Sequence, residues 1–498
     1  MLRSLISKKS ILIVGGILGV LALLAVVIWR HFVEEERDGR VAWETYRAAA
    51  EQRGVKLFIR DMIAPDVADE ENYAAIPFIR EMFHEGKPSA DIEAFSAFSK
   101  GKDKPKPKSV AKGESSDLGA WQAYLVKCKL LETTTEDVSG DVLRGLEKLE
   151  SQLQQFREAS PRPLCKFPTR WEDGMSAKMP HLPQLMGVAR IFELRMCALL
   201  AKGDSAAALA EFEHGMRLSG AVATEPSTIA ALVRVATLFS LERAVWNGLA
   251  AHQWNEGDLL AIERKLAGIR LFGEFQAAIE TERGGIAETL LELTAKSSRE
   301  ILQAFEGVGD MRLKEPMFPF VLTKRKLYHN VVAIHECIDA VVASYKAAAG
   351  DWSTMVMGNS FSADAWLSAR ATAKGRAGDY YNLAHFSVDR FDSIEKKFFE
   401  AHTRLEQTAL SCALERYWIK NRAFPEQLDE LVPQFIAEVP RDVADGKPLR
   451  YRRNPDGGYD IWSIGADRKD DGGAFDPIKT ESEQADWIWH MPGSAKAP

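Results

Sequence analysis

Residues 11 to 29, ILIVGGILGVLALLAVVIW, run nineteen positions without a charge, and few structures accommodate such a run. At 1.5 Å per residue it makes a helix of about 28 Å, the thickness of a bilayer's hydrocarbon core. A cleaved signal peptide has a shorter apolar region and a small-residue cleavage site. Here the run closes with Val27-Ile28-Trp29-Arg30-His31, with no A-x-A pattern and no lipidation cysteine. The expectation is an uncleaved signal anchor over 11–29, preceded by a cytoplasmic tail, 1–10. Gly15 and Gly19 form a GxxxG pair of the kind that lets two membrane helices approach closely, which suggests a homo-oligomer through the anchor; glycine is also simply common in membrane helices. Arg3, Lys8 and Lys9 precede the run, while Arg30, Arg37 and Arg40 follow it. A short basic tail before a lone span stays inside, so the expected placement is the bacterial inner membrane, single-pass, with the large domain periplasmic.

Beyond the anchor, 498 residues exceed one ordinary core. The 64 basic and 71 acidic residues, net charge -7, give no basic excess that would draw nucleic acid. Five scattered cysteines without a CxxC pair argue against a disulfide framework.

Periodicity predicts a mainly α chain. Residues 30–119 read as a helical stalk followed by an irregular Lys/Pro-rich linker. In the stalk, Trp43, Tyr46 and Ala50 share a face and Gly54 marks a stop. In the linker, KGKDKPKPKSVAKGESS (100–116) reads as a solvated loop in which proline blocks helix; a charged patch is the other reading. From 120 to 392 the pattern is almost continuously helical. ALLAKGDSAAALAEFEHGMRLSGAV is a helical hairpin: Leu199 and Leu200 end one helix, Gly203-Asp204 turn, and Leu209, Phe212 and Met216 mark the next face. Its cadence is TPR-like, and the whole stretch reads as an irregular α-solenoid-like array, which leaves a surface free for protein partners. Helices are expected at 227–250 and 255–297, the latter capped by Asn255 with Asp258 and broken at Gly284-Gly285.

Residues 393–490 form a C-terminal α+β module, followed by a tail, 491–498. A long helix over 393–421 carries Leu410, Leu414 and Tyr417 inward. Pro425 opens a short helix with Leu428, Leu431 and Val432 facing inward. Strands Leu449–Arg453 and Tyr459–Ile464 flank the turn NPDGG, and ADWIWHMPG alternates like a final edge strand. Trp487 and Trp489 read either as packing against the helix or as an aromatic platform.

The order ALERYWIKNRAFPEQLDELVP, then VPRDVADGKPLRYRR, then GYDIWSIGADRKDDGGAFD (about 404–488) resembles the globular end of G-type major pseudopilins of type II secretion. In those subunits the basic leader and processing site stand directly before the membrane helix that leads into the head; here the membrane run lies far upstream of residue 404, so the head looks borrowed. The remainder, including EDGMSAKMPHLPQLMGVARIFELRMCALLAKGD, is similar to uncharacterised bacterial membrane-anchored proteins that pair a helical array with such an end. The pseudopilin resemblance implies a calcium-holding aspartate loop. Asp467 and Asp476 would be its first ligands, and Asp470 or Asp471 would add an oxygen, with carbonyls near Ile464 completing the set. Glycines 465, 472 and 473 would take positive φ. A calcium ion needs six to eight oxygens, and Arg468 and Lys469 bring two cations into the same loop; the other reading is an exposed turn held by Asx hydrogen bonds. Any calcium here is structural.

YHNVVAIHECIDA holds His329, His335, Glu336 and Cys337, but position 339 is Asp, so the HExxH of a zinc hydrolase is not formed. No GxSxG, Walker A or GxGxxG motif occurs. The functional expectation is a membrane-anchored, non-enzymatic envelope scaffold, with a link to a secretion or pilus-like system implied by the resemblance. The alternative is an envelope hydrolase whose catalytic residues are dispersed.

Overall fold

The computed structural model describes residues 8–84, 86–305, 323–348, 363–374, 382–476, 479 and 484–493. Residues 1–7 of the expected cytoplasmic tail and 494–498 of the expected C-terminal tail lie outside these. The helices are α1 (Lys8–Gln52), α2 (Pro77–Met82), α3 (Ala90–Lys100), α4 (Leu118–Lys127), α5 (Val138–Glu147), α6 (Glu150–Ala159), α7 (His181–Ala201) and α8 (Ser205–Val222). They continue with α9 (Thr228–Ala250), α10 (Glu256–Leu266), α11 (Leu271–Thr294), α12 (Ser298–Phe305), α13 (Lys324–Ala348), α14 (Ala363–Ala373) and α15 (Asn382–Asn421). Strands β1 (Arg450–Arg453), β2 (Tyr459–Ser463) and β3 (Trp487–Met491) form one antiparallel sheet in the order β1-β2-β3. The fold is mainly helical with a small sheet.

Two compact units divide the chain. The first takes Met1–Asp61, Arg283–Asp339 and Ala363–Asp389; the second takes Met62–Glu282, Ala340–Ser362 and Arg390–Pro498. Residues 283–339 and 363–389 of the expected 120–392 array therefore belong with the N-terminal helix.

In the first unit, α1 is a single helix of 45 residues. Its far end buries Trp43, Tyr46 and Ala50, the face that the i, i+3, i+7 spacing predicts. It crosses α13 so closely at Gly39 that a Cβ there would lie 2.8 Å from the Arg325 Cα, a contact only glycine permits. Among the described residues no helix is long and apolar enough to cross a membrane. The 11–29 run lies on α1, but more than half of its side chains, those at 11–16, 25 and 27–29, and the surroundings of Gly15, are outside the described residues.

In the second unit, α7 and α8 form the expected hairpin. Gly203 takes φ +78 and the Asp204 carboxylate accepts from the Ala207 N–H at 3.0 Å, capping α8. The core face of α8 differs from the expected one. Leu209 and Met216 are only half-buried, while Ala208, Phe212, Gly215 and Leu218 are buried. Gly215 lets the Leu241 side chain of α9 lie where a Cβ would sit 2.4 Å from it, which draws that face inward. Glu211 follows it inside because Arg157 and Arg195 meet its carboxylate at 2.8 and 2.6 Å.

The expected helix 255–297 is two helices. Asn255 and Asp258 do form a capping box at the start of α10. The break falls at 267–270, and Gly284-Gly285 lie within an unbroken α11. The stretch 100–116 is more than a solvated loop: Val110 and Ala111 are buried, and Ala111 packs with Trp462, Ile488 and Phe475.

The long helix α15 begins at Asn382, eleven residues before the expected start. Leu410 and Leu414 are buried, whereas Tyr417 is half-buried and donates through Oη to Glu430 Oε2 at 2.8 Å. Leu428 and Leu431 are buried in a 3-10 turn, Leu428–Leu431, but Val432 lies past its end and is exposed. Both Trp487 and Trp489 are buried, and Gln407 of α15 donates to the Trp487 carbonyl at 2.8 Å, so β3 packs by its tryptophans.

Candidate functional site

Three helices of the first unit enclose a groove of about 540 Å3, within the range of small-molecule sites. From α13 come His329, Val332, Glu336 and Asp339, spaced three, four and three residues apart, which puts them on one helical face. From α1 come Ala42, Thr45, Tyr46 and Ala49, again one face, with Arg53 from the turn just past its end. The end of α14 contributes Arg370 and Lys374.

Asp339 organises the groove. Its Oδ1 accepts from Arg283 Nη1 at 2.7 Å; its Oδ2 accepts from Tyr46 Oη and from Arg53 Nη2, both at 2.8 Å. Three donors on one carboxylate, two of them guanidinium groups, occupy most of its roughly four acceptor sites. Arg283 is buried and also donates through Nη2 to the Lys56 carbonyl at 3.3 Å. Burial, reinforced by the negative charge of Asp339, pushes the Tyr46 phenol well above its ordinary value, so it is a donor at all physiological pH.

Beside this network His335 is fully buried, stacked on Trp43 at 5.4 Å between centroids and tilted on Tyr46 at the same distance. Burial, with the charge of Arg283 nearby, holds its imidazole well below the usual histidine range. Glu336 pairs with Arg370. Burial raises the Glu336 carboxyl, and Arg370 and Lys374 oppose that rise. Three cations of the lining (Arg53, Arg370 and Lys374), with buried Arg283 behind Asp339, stand against two carboxylates, so the groove carries a net positive charge.

The aspartates of the C-terminal loop do not gather. The Asp467 carboxylate accepts from the Lys469 N–H at 3.0 Å. That of Asp470 accepts from Trp462 Nε1 at 3.0 Å and from the Gly472 N–H at 2.9 Å, with Arg450 Nε at 3.5 Å. Asp471 offers its N–H toward Asp486, and Asp476 lies near Lys479. Glycines 465, 472 and 473 do take positive φ, and their turns serve these Asx bonds. Among the described residues no group of three or more His, Cys, Asp or Glu is placed to hold a metal ion.

The module's hub is a residue that sequence reasoning passed over. Asp442, fully buried, accepts from Ser463 Oγ at 2.6 Å and from the Ala444 and Ile464 N–H groups at 2.9 and 3.0 Å, and pairs with Arg450. Across the sheet, Arg452 Nη2 and His490 Nδ1 both meet Asp460, at 2.5 and 2.6 Å, one polar row over three strands. Of the histidine-rich stretch, His329 and Glu336 face the groove and His335 does not. Arg53, Arg283, Arg370 and Lys374 carried no local signal; Tyr46 was marked by its helical face alone.

No family model, no curated protein and no solved structure matches the chain.

Proposed function

We propose that the chain is a single-pass, membrane-anchored envelope protein with a scaffolding role, tethered by residues 11–29 and exposing its helical units to partners on the periplasmic side. One observation carries the tether. Ile17, Leu18, Val20, Leu21, Leu23, Leu24 and Val26 are each half or more exposed on α1. At about 100° per residue they are spread around the entire circumference of the helix. A helix apolar on every side is stable only inside a protein core or a bilayer, and none of the described residues covers the side chains at these positions. The uncharged run continues on both sides of them through 11–29. The same helix then enters the packed first unit through Trp43, Tyr46 and Ala50, which would hold that unit to the membrane by continuous backbone. The electropositive groove and the helical hairpins supply surfaces for recognition.

The test is fractionation of the full chain expressed in a bacterium. After a carbonate wash it should remain in the membrane pellet, and the Leu21→Arg, Leu24→Arg double variant should leave it. Recovery of the unmodified chain in the wash supernatant would remove the tether. A reporter enzyme active only outside the cytoplasm, fused after Pro498, should be active; an inactive fusion would reverse the orientation.

A further inference from the structure

We infer that the groove between α1, α13 and α14 is a binding site for a small phosphate monoester. The ligand class follows from the donors. Among the described residues the Arg53 guanidinium donates to Asp339 alone, through Nη2. A guanidinium has five N–H donors in a planar fork, so most of that fork stays available to a second acceptor. The Lys374 ammonium has no hydrogen-bond or ion-pair partner among the described residues; the residue is exposed just past α14, its backbone N–H donating to the Arg370 carbonyl at 3.0 Å. The two carboxylates do not repel an incoming anion on balance: Asp339 is shared by Arg53 and Arg283, and Glu336 lies between Arg370 and Lys374. What remains is an excess of positive charge with fork and ammonium donors, the combination that matches a dianionic, multidentate phosphate.

The rest of the groove accommodates a small organic body. Ala42 and Ala49 leave room beside the Tyr46 ring, and Val332 adds an apolar wall. Asp339 is the positioning residue, because it orients Arg53 while Arg283 and Tyr46 hold it in place.

Phosphate monoesters occur both free and as lipid headgroups. Ala42 is thirteen residues past Trp29, which at 1.5 Å per residue places the groove about 20 Å beyond the end of the uncharged run. The polar layer of one leaflet is only about 5–8 Å deep, so a headgroup seated in the bilayer does not reach. The ligand is therefore a soluble one. This choice of source rests on the tether proposed above; the binding site does not.

The experiment uses the full chain in detergent micelles, with thermal unfolding followed against inorganic phosphate, glycerol 3-phosphate and, at matched ionic strength, chloride. Glycerol 3-phosphate should raise the melting temperature saturably and chloride should not. Lys374→Gln should weaken the apparent affinity about tenfold, as loss of one charge-assisted bond does, and adding Arg53→Gln should abolish the response. Both side chains are more than half exposed or at a helix end, and circular dichroism would verify that the variants fold. No saturable response in micelles or in nanodiscs, or an undiminished one in the double variant, overturns the site. A response confined to the chain in nanodiscs containing phosphatidic acid overturns the soluble source. Because the micelle titration needs no bilayer, its failure leaves the tether standing, and a failed tether leaves the titration readable.

Discussion

Arg283 and Asp339, 56 positions apart, meet at 2.7 Å between Nη1 and Oδ1, with Arg283 buried and Asp339 partly so. The pair ties α11 to α13 within the first unit. A buried guanidinium that loses its counter-ion keeps its desolvation cost. Asp339→Ala should therefore destabilise this unit by about 3–5 kcal/mol in urea unfolding. Arg283→Met combined with Asp339→Leu should cost much less, because neither charge is then buried alone. Equal losses in the two variants would show that the ion pair itself is not what matters here.

A second buried pair governs pH. His181 Nε2 stands 3.8 Å from Glu225 Oε2, and the imidazole is stacked between Phe167 and Phe83 at 4.3 and 5.1 Å. Burial pushes the Glu225 carboxyl up to about 7 from 4.5, against opposing bonds from Thr169 and Trp171, and pushes His181 down to about 3 from 6.5. A raised carboxyl stabilises the fold most below 4.5, and that contribution is lost as pH rises through 7. A lowered imidazole contributes above 6.5, and its share is lost as pH falls toward 3. Glu225→Gln should therefore match the parent near pH 4 and exceed its stability above pH 7, by on the order of 3 kcal/mol. His181→Phe should flatten the acid limb instead. Urea midpoints across pH 4–8 would read both, and a uniform shift from either variant would refute the assignment.

At the exit of β2, Gly465 has φ +59 and a Cβ there would lie 1.9 Å from the Ala485 carbonyl oxygen. Nearby Gly472 has φ +70 with nothing within 4 Å of a Cβ. Gly472→Ala should cost only the conformational penalty, about 1–2 kcal/mol. Gly465→Ala adds a backbone collision that only separation of the chain near β3 relieves, so it should cost at least about 2 kcal/mol more. Comparing the two melting temperatures separates sterics from φ.

Local signals were legible and distant ones were not. The Asn255–Asp258 box and the Gly203-Asp204 turn are each set by residues within a few positions of one another, so the sequence pattern carries them; Tyr459–Ser463 is the expected strand, but it is buried on both faces and shows no alternation. The spacing of Leu209, Phe212 and Met216 misses the buried face of α8 because Gly215 offers no side chain to mark it, although its smallness is what draws α9 close. Gly284-Gly285 reads as a break, yet the helix runs unbroken through both, which are buried, so the propensity of glycine does not decide here. The groove was hidden for a stronger reason: Arg53, Arg283, Asp339 and Lys374 come from distant segments. Asp339 itself drew notice only as the residue that spoils a zinc motif.

The aspartates of the C-terminal module show the same contrast and allow one more test. The cluster from Asp467 to Asp476 is conspicuous in the sequence, yet the Asp467 carboxylate is exposed and, among the described residues, bonded only to the Lys469 N–H. Asp442 sits in an ordinary-looking turn, yet its carboxylate is fully buried, satisfies two backbone N–H groups and the Ser463 hydroxyl, and pairs with Arg450. Removing it would leave those donors unpaired in a site without water access, and Arg450, which also holds Asp445 at 2.6 Å, would lose its inner anchor. Asp442→Ala should cost about 3–5 kcal/mol, whereas Asp467→Ala should stay within about 0.5 kcal/mol of the parent. Amide exchange would localise the difference: the Ala444 and Ile464 amides should lose protection in Asp442→Ala and keep it in Asp467→Ala. Protection lost equally in both would mean that the loop, and not the buried carboxylate, holds β2 to the turn before β1.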